Sequence, residues 1–297
     1  MTTNNGLLLI DKPPGVTSHD VVAHVRRVLS ERRVGHAGTL DPMATGLLIL
    51  GVGPATRLLR FAQSEIKRYE GELTLGVATD SLDADGAVLR EAPVPVIDDD
   101  LLKRVIEGFL GDQEQVPPMV SAIKVDGQRL HALARRGVQV ERSPRTVTIH
   151  QLFLAHAGGA RWKFDVTCSV GTYVRVLMSD IAERLGTIGH LSALRRISSG
   201  SHDVKDALTY FDLDTRISED APVLLPPRAF VEHLPSVSVS EDEERRLRMG
   251  QRLTLRECVG DEIAALNQRG HLVAVLARRG AAWQPAVVLP FVPHSSV

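Results

Sequence analysis

The segment Gly35-His36-Ala37-Gly38-Thr39-Leu40-Asp41-Pro42-Met43-Ala44-Thr45-Gly46 decides how the rest of the chain is read. Three glycines and one proline in twelve residues permit a tightly folded loop whose backbone can approach a ligand, with one carboxylate, Asp41, near its middle. On composition alone an Asp before a Pro is a turn former. Upstream, Leu7 to Ile10 reads as a short buried strand stopped by Asp11-Lys12-Pro13-Pro14-Gly15. A helix follows: Thr17 and Asp20 make a capping pair, and Val21, Val22, Val25, Val28 and Leu29 recur at helical spacing. Gly35 to Thr45 is expected as loop, and Leu47 to Val52 as a buried strand. Tyr69, Gly71, Leu73 and Leu75 alternate as in a half-buried strand.

Further along, Leu101, Leu102, Val105, Ile106 and Phe109 predict an amphipathic helix closed near Gly111, and residues 172 to 185 a second one stopped by Gly186. Between them Pro117 to Pro144 is turn-rich. It sets five cations, Lys124, Arg129, Arg135, Arg136 and Arg142, against Asp126 and Glu141, a local excess of +3. A Pro-containing stretch from Asp220 to Pro235 breaks the pattern. Beyond it, short strands at Leu253 to Leu255, Ile263 to Leu266, Leu272 to Leu276 and Ala286 to Leu289, with Gly-bearing turns, predict a small β-barrel.

The 297 residues are more than one domain usually needs, so two domains are expected. Apolar residues at 43% and charged residues at 24% are ordinary globular usage and exclude a disordered or collagen-like chain. With 35 Lys and Arg against 36 Asp and Glu, no global positive field draws the protein to polyanions, so nucleic-acid binding must come from a local patch. Cys168 and Cys258 lie far apart, which indicates neither a disulfide framework nor a cysteine zinc site. The eleven histidines include no HExxH, and the glycines around Gly46 to Gly53 form no GxxxxGK[ST] loop. The first residues lack a basic region before their short apolar run, and no run reaches the length of a membrane span; a cytoplasmic protein without a membrane partner is expected.

The Gly35 to Gly46 segment resembles the catalytic loop of the TruB family of pseudouridine synthases, whose pattern is GHxGTLDPxAtG. Lys12-Pro13-Pro14-Gly15 resembles that family's first motif, and Lys67-Arg68-Tyr69 with Thr79-Asp80-Ser81-Leu82-Asp83-Ala84-Asp85-Gly86 its second. Pro117-Pro118-Met119-Val120-Ser121-Ala122-Ile123-Lys124 is similar to the start of an RNA-gripping thumb insertion. Cys168-Ser169-Val170-Gly171-Thr172-Tyr173-Val174-Arg175 is similar to the third catalytic motif, and Gly189-His190-Leu191 through Leu194-Arg195-Arg196 to the last. The likeness covers about residues 6 to 215, in family order. It departs at His131, where the thumb normally has Tyr, and at Val170, where Lys is usual. The C-terminal segment resembles a PUA-like RNA-binding domain, less specifically, through Gly250-Gln251 and the strands after Gly270.

The resemblance implies an α+β fold, a mixed and largely antiparallel sheet with flanking helices, as a catalytic domain over residues 1–225. A thumb over 117–144 and a PUA-like β-barrel domain over 231–297 complete it. It implies a monomeric isomerase converting uridine 55 in the T-arm loop of tRNA to pseudouridine after base flipping, without metal, organic cofactor or obligatory protein partner. Cleaving a glycosidic bond builds positive character at the sugar, which a carboxylate can stabilise or capture. Asp41 takes that role, and Arg175 is the cation that would keep it ionised in a dry pocket. Tyr69 would stack on the extruded base and help remove the C5 proton, Tyr173 would lie against the sugar or base, and Leu194 would close the pocket. His36 would fill or hold the space of the flipped nucleotide. Lys12 and Lys67 would support the loop or meet phosphate, and Asp83 is first a turn former, then a substrate-side group. Lys124, Arg129, Arg135, Arg136 and Arg142 would meet RNA phosphates. The other readings are an RNA-binding chaperone of tRNA and a guide-RNA-dependent enzyme of the same family.

Overall fold

The computed structural model describes residues 4–63, 66–119, 140–255 and 258–290, and the backbone of 124–125 and 128–129. Contact density divides the chain into two compact units, one of Met1–Pro42, Gly46–Ser64 and Ser201–Val297, the other of Met43–Thr45 and Glu65–Gly200. The sequence boundary near residue 231 falls inside the first of these.

The first unit begins with β1 (Gly6–Lys12), α1 (Ser18–Val28), β2 (Val34–Ala37), β3 (Thr45–Val52) and α2 (Leu59–Gln63). β3 pairs antiparallel with β1, Leu8 opposite Leu50, and with β2, Ala37 opposite Ile49. β1 runs on through the expected turn to Lys12, which is fully buried and pairs with Gly46. β1 and β3 are apolar at nearly every position because both of their faces are covered. Leu8, Ile10, Leu48 and Leu50 join Val21, Val22 and Val25 of α1 in one cluster, whereas Leu7, Leu9, Leu47 and Ile49 face another. α1 opens on the capping box expected from Thr17 and Asp20: the Thr17 hydroxyl accepts from the Asp20 amide, and the Asp20 carboxylate accepts from the Thr17 amide at 2.8 Å. The Thr17 hydroxyl also donates to the Asp20 carboxylate at 2.7 Å, and that bond, followed by the one from the Thr17 amide, holds the Asp20 carboxyl below its ordinary value.

The second unit carries β4 (Lys67–Leu75), β5 (Val77–Thr79), β6 (Val88–Glu91), α3 (Asp99–Phe109), β7 (Gly111–Gln115), β8 (Lys124–Val125), β9 (Gln128–Arg129), β10 (Arg145–Gly158), β11 (Arg161–Cys168), α4 (Val174–Arg184) and β12 (Gly189–Ser199). Its strands run in the order β12, β4, β11, β10, β7, every neighbouring pair antiparallel. Alternate residues, Tyr69, Leu73 and Leu75 on β4 and Trp162, Phe164, Val166 and Cys168 on β11, are buried. Gly71 sits where β12 bulges between Leu191 and Ala193, and a Cβ there would stand 2.2 Å from the Ala193 carbonyl oxygen and 2.5 Å from the Phe164 ring. Burial raises the Cys168 thiol to about 11, and no disulfide joins it to Cys258.

The rest of the first unit comprises β13 (His202–Asp203), α5 (Tyr210–Ser218), β14 (Ser236–Ser238), α6 (Glu241–Arg248), β15 (Glu262–Leu266), β16 (Leu272–Arg279) and β17 (Ala282–Val288). β14 pairs parallel with β15, and β15, β16 and β17 follow antiparallel. The strand expected at Leu253 to Leu255 is reduced to one bridge, Leu253 to Trp283. Phe230, Ala264, Leu266, Leu272, Val275 and Val287 belong to the same apolar cluster as Leu7, Leu9, Leu47 and Ile49. The backbone of Leu7 also exchanges two hydrogen bonds with that of Leu225, at 2.9 and 2.8 Å. Among the described residues no helix is long and apolar enough to cross a membrane.

Candidate active site

Asp41 is half-buried in the first unit, in the turn between β2 and β3. The structure shortens the loop expected at Gly35 to Thr45, since Gly35, His36 and Ala37 belong to β2. Gly35 is tolerated there because the backbone passes Leu59 closely, a Cβ being 2.9 Å from its side chain. Gly38 and Gly46 bracket the turn with φ of +85° and +97°, a region that only glycine enters without strain.

The peptide groups on either side of Asp41 are tied down. The Ser18 hydroxyl accepts from the Leu40 amide at 2.9 Å and donates to the Leu40 carbonyl at 3.2 Å. The Pro42 carbonyl accepts from the Gly15 amide at 2.9 Å and from the Lys12 ammonium at 3.1 Å. Lys12 also donates to the carbonyls of Pro13, at 3.0 Å, and Val16, at 2.7 Å. Its charge therefore sits among backbone dipoles in the fold's interior. His36 lies edge-on to His19, ring centroids 5.7 Å apart.

In the second unit Tyr69 is the third residue of β4, buried, with Val166 of β11 and Arg196 of β12 opposite it. Lys67 is buried at the start of the same strand. Arg175 is the second residue of α4 and only 3% exposed. Its guanidinium donates to the Ser81 carbonyl at 3.1 Å and to the Asp83 carboxylate at 3.2 Å. Asp83 is itself buried, and its other oxygen accepts from the Ser81 hydroxyl and, at 3.2 Å, from the Asp85 amide. The turn is pinned to β12: Leu191 donates to the Leu82 carbonyl and accepts from the Ala84 amide, both at 3.0 Å. Leu82 takes a φ of +64° to allow this, an uncommon conformation for a branched side chain. Asp83 is thus a turn residue, and it is also a counter-ion of Arg175, a pairing across 92 residues that sequence reasoning did not find.

Tyr173 caps α4 without a side-chain bond of its own. The Gln115 amide brackets it instead, accepting from the Tyr173 amide at 2.7 Å and donating to the Tyr173 carbonyl at 3.1 Å. Gln115 was also missed; a lone glutamine carries no signal in sequence. So was Arg196, 1% exposed, although its motif was recognised. Leu194 lines a groove of about 850 Å³ in this unit, together with Met43, Ala84, Ile106, Phe164 and the charged Glu70, Lys163 and Arg195. Arg142 donates to the Pro117 carbonyl at 3.1 Å and so joins the two ends of the 117–144 insertion. Within it the backbones of Lys124 and Arg129 pair in a short hairpin. Arg135, Arg136 and His131, and the side chains of Lys124 and Arg129, lie outside the described residues. Val170 is half exposed.

The family model described as TruB family pseudouridylate synthase, N-terminal domain, matches residues 26–174, and that of tRNA pseudouridine synthase II, C-terminal, matches residues 234–290. The tRNA pseudouridine synthase B of Arthrobacter sp. (strain FB24) is 40% identical, with 98% of each chain covered. That of Syntrophotalea carbinolica is 44% identical over 83% of this chain and 81% of its own. Among solved structures, the fold resembles that in a crystal structure of a Cbf5-Nop10-Gar1 complex, with a TM-score of 0.73 and 26% identity, covering 97% of this chain and 84% of the other. With its two parts matched in order, the chain belongs to the TruB family of pseudouridylate synthases, isomerases that convert uridine to pseudouridine.

Proposed function

We propose that the protein isomerises uridine 55 in the T-arm loop of tRNA, with Asp41 as the reacting carboxylate. The observation that carries this reading is the intact Gly35 to Gly46 segment, in which a single half-buried carboxylate stands between two clamped peptide groups. In the reaction the N1 to C1′ bond breaks, the uracil turns, and C5 bonds to C1′. The proton leaves C5 and N1 gains one, so atoms balance without a redox step and no cofactor enters.

Asp41 meets the positive character that develops at C1′, and Arg175 is the cation of the site. Tyr69 stacks on the flipped base and assists loss of the C5 proton, Tyr173 lies against the nucleotide, Leu194 closes on it, and His36 holds the place it left. Lys12 supports the Asp41 turn, and Lys67 has the same task on β4. The thumb grips phosphates with Lys124, Arg129, Arg135, Arg136 and Arg142, residues 231–297 act as a PUA-like RNA-binding domain, and the enzyme works as a cytoplasmic monomer. Tritium release from C5-labelled uridine in transcribed tRNA, followed by mapping of the modified position, tests the reading. Release from the T-arm loop is expected; none, or release only elsewhere, overturns it.

A further inference from the structure

We propose that Ser18 is a positioning residue for the Asp41 carboxylate, acting through the backbone of Leu40. The inference rests on the reading of Asp41 given above. The Ser18 side chain is 2% exposed, and its hydroxyl is engaged twice by one residue, accepting from the Leu40 amide and donating to the Leu40 carbonyl. That carbonyl belongs to the peptide bond leading into Asp41. The far side of Asp41 is held at the Pro42 carbonyl by Gly15 and Lys12. On the near side the chain leaves Gly38, whose left-handed φ of +85° marks a residue with no side chain to stiffen it. The Ser18 hydroxyl supplies the restraint that the glycine lacks.

The adjacent hydroxyl provides the contrast. Thr17 caps α1 through the Asp20 amide. One hydroxyl holds the helix and the next holds the loop, so their removal separates stability from positioning.

The test uses the full chain and transcribed tRNA, with single-turnover rates at saturating RNA, tRNA affinity and melting curves, at a temperature where circular dichroism shows every variant folded. Ser18→Ala should slow the chemical step about tenfold to a hundredfold, because small misplacements of a reacting group have effects of that size, while affinity stays within about twofold. Thr17→Ala should lower the melting temperature and leave the saturated rate unchanged. A Ser18→Ala variant with the wild-type rate, or one slowed by the same factor as Thr17→Ala, overturns the inference. An Asp41→Asn variant that still turns over overturns instead the reading on which it rests.

Discussion

Asp41 and Arg175 are held by different physics. On either side of Asp41 the backbone is clamped: a serine hydroxyl, a glycine amide and a lysine ammonium fix the peptide groups of Leu40 and Pro42. Around Arg175 the contacts fall on the functional group itself, through a carboxylate and a carbonyl with almost no access to water. Backbone clamps of that kind stay in place when the side chain between them is changed. A residue that is one half of a buried ion pair cannot be changed so freely, because its removal takes a partner from the other charge in a medium that solvates it poorly.

The largest separation between the two regions should come from Asp41→Asn. Turnover should be abolished, while tRNA affinity stays within about tenfold and stability falls less than on removal of a fully buried charge, since the amide is nearly isosteric and the clamped peptide groups are untouched. Denaturant titration and an RNA-binding isotherm on the inactive variant check both halves of that expectation. The opposite pattern is expected from Asp83→Ala, which removes a buried carboxylate partner of the Arg175 guanidinium: a loss of about 3–5 kcal/mol in unfolding free energy, with catalysis reduced as well. Equal stability of the Asp41→Asn and Asp83→Ala proteins would erase the contrast.

Tyr69 sharpens it. Tyr69→Phe should bind RNA normally and slow the chemical steps, whereas Tyr69→Ala should also lose stacking worth ~1–3 kcal/mol, seen in transient kinetics with labelled RNA. Identical defects would mean that the ring does not stack.

The smallest effect lies in the capping box beside the Asp41 turn. Thr17→Ala should cost about 1 kcal/mol at neutral pH. The Asp20 carboxyl is held below 3.8 by its bonds to Thr17, so its contribution is present above that value and is lost as pH falls through the folded-state value. Stability curves of wild type and Thr17→Ala should therefore converge on acidification; curves that stay parallel down to unfolding would show that the box does not titrate.

What could be read from sequence was local. Thr17 and Asp20 are three residues apart, the apolar runs of β1 and β3 are contiguous, and the glycines around Asp41 announce their own backbone freedom. What could not be read needed a partner from elsewhere. β2 is glycine-bearing and becomes a strand through its pairing with β3. The alternation of the long strand β10 is interrupted where the register shifts between Ile149 and Gln151, so its period of two breaks midway. α6 buries only Leu247 and shows no helical stripe. Asp83 looked like a turn residue because it is one; its second role depends on a guanidinium that the fold brings to it.

The arrangement of the chain in its two units has a consequence for synthesis. Residues 65–200 form their unit almost entirely from one uninterrupted stretch, so they can fold as soon as that stretch has left the ribosome. β1 is made first, yet the cluster that covers Leu7 and Leu9 includes Val287 and Leu289, and the backbone partner of Leu7 is Leu225. β1 must therefore wait for Val287 and Leu289 before that cluster is complete, and during that interval part of its apolar face lacks its final cover.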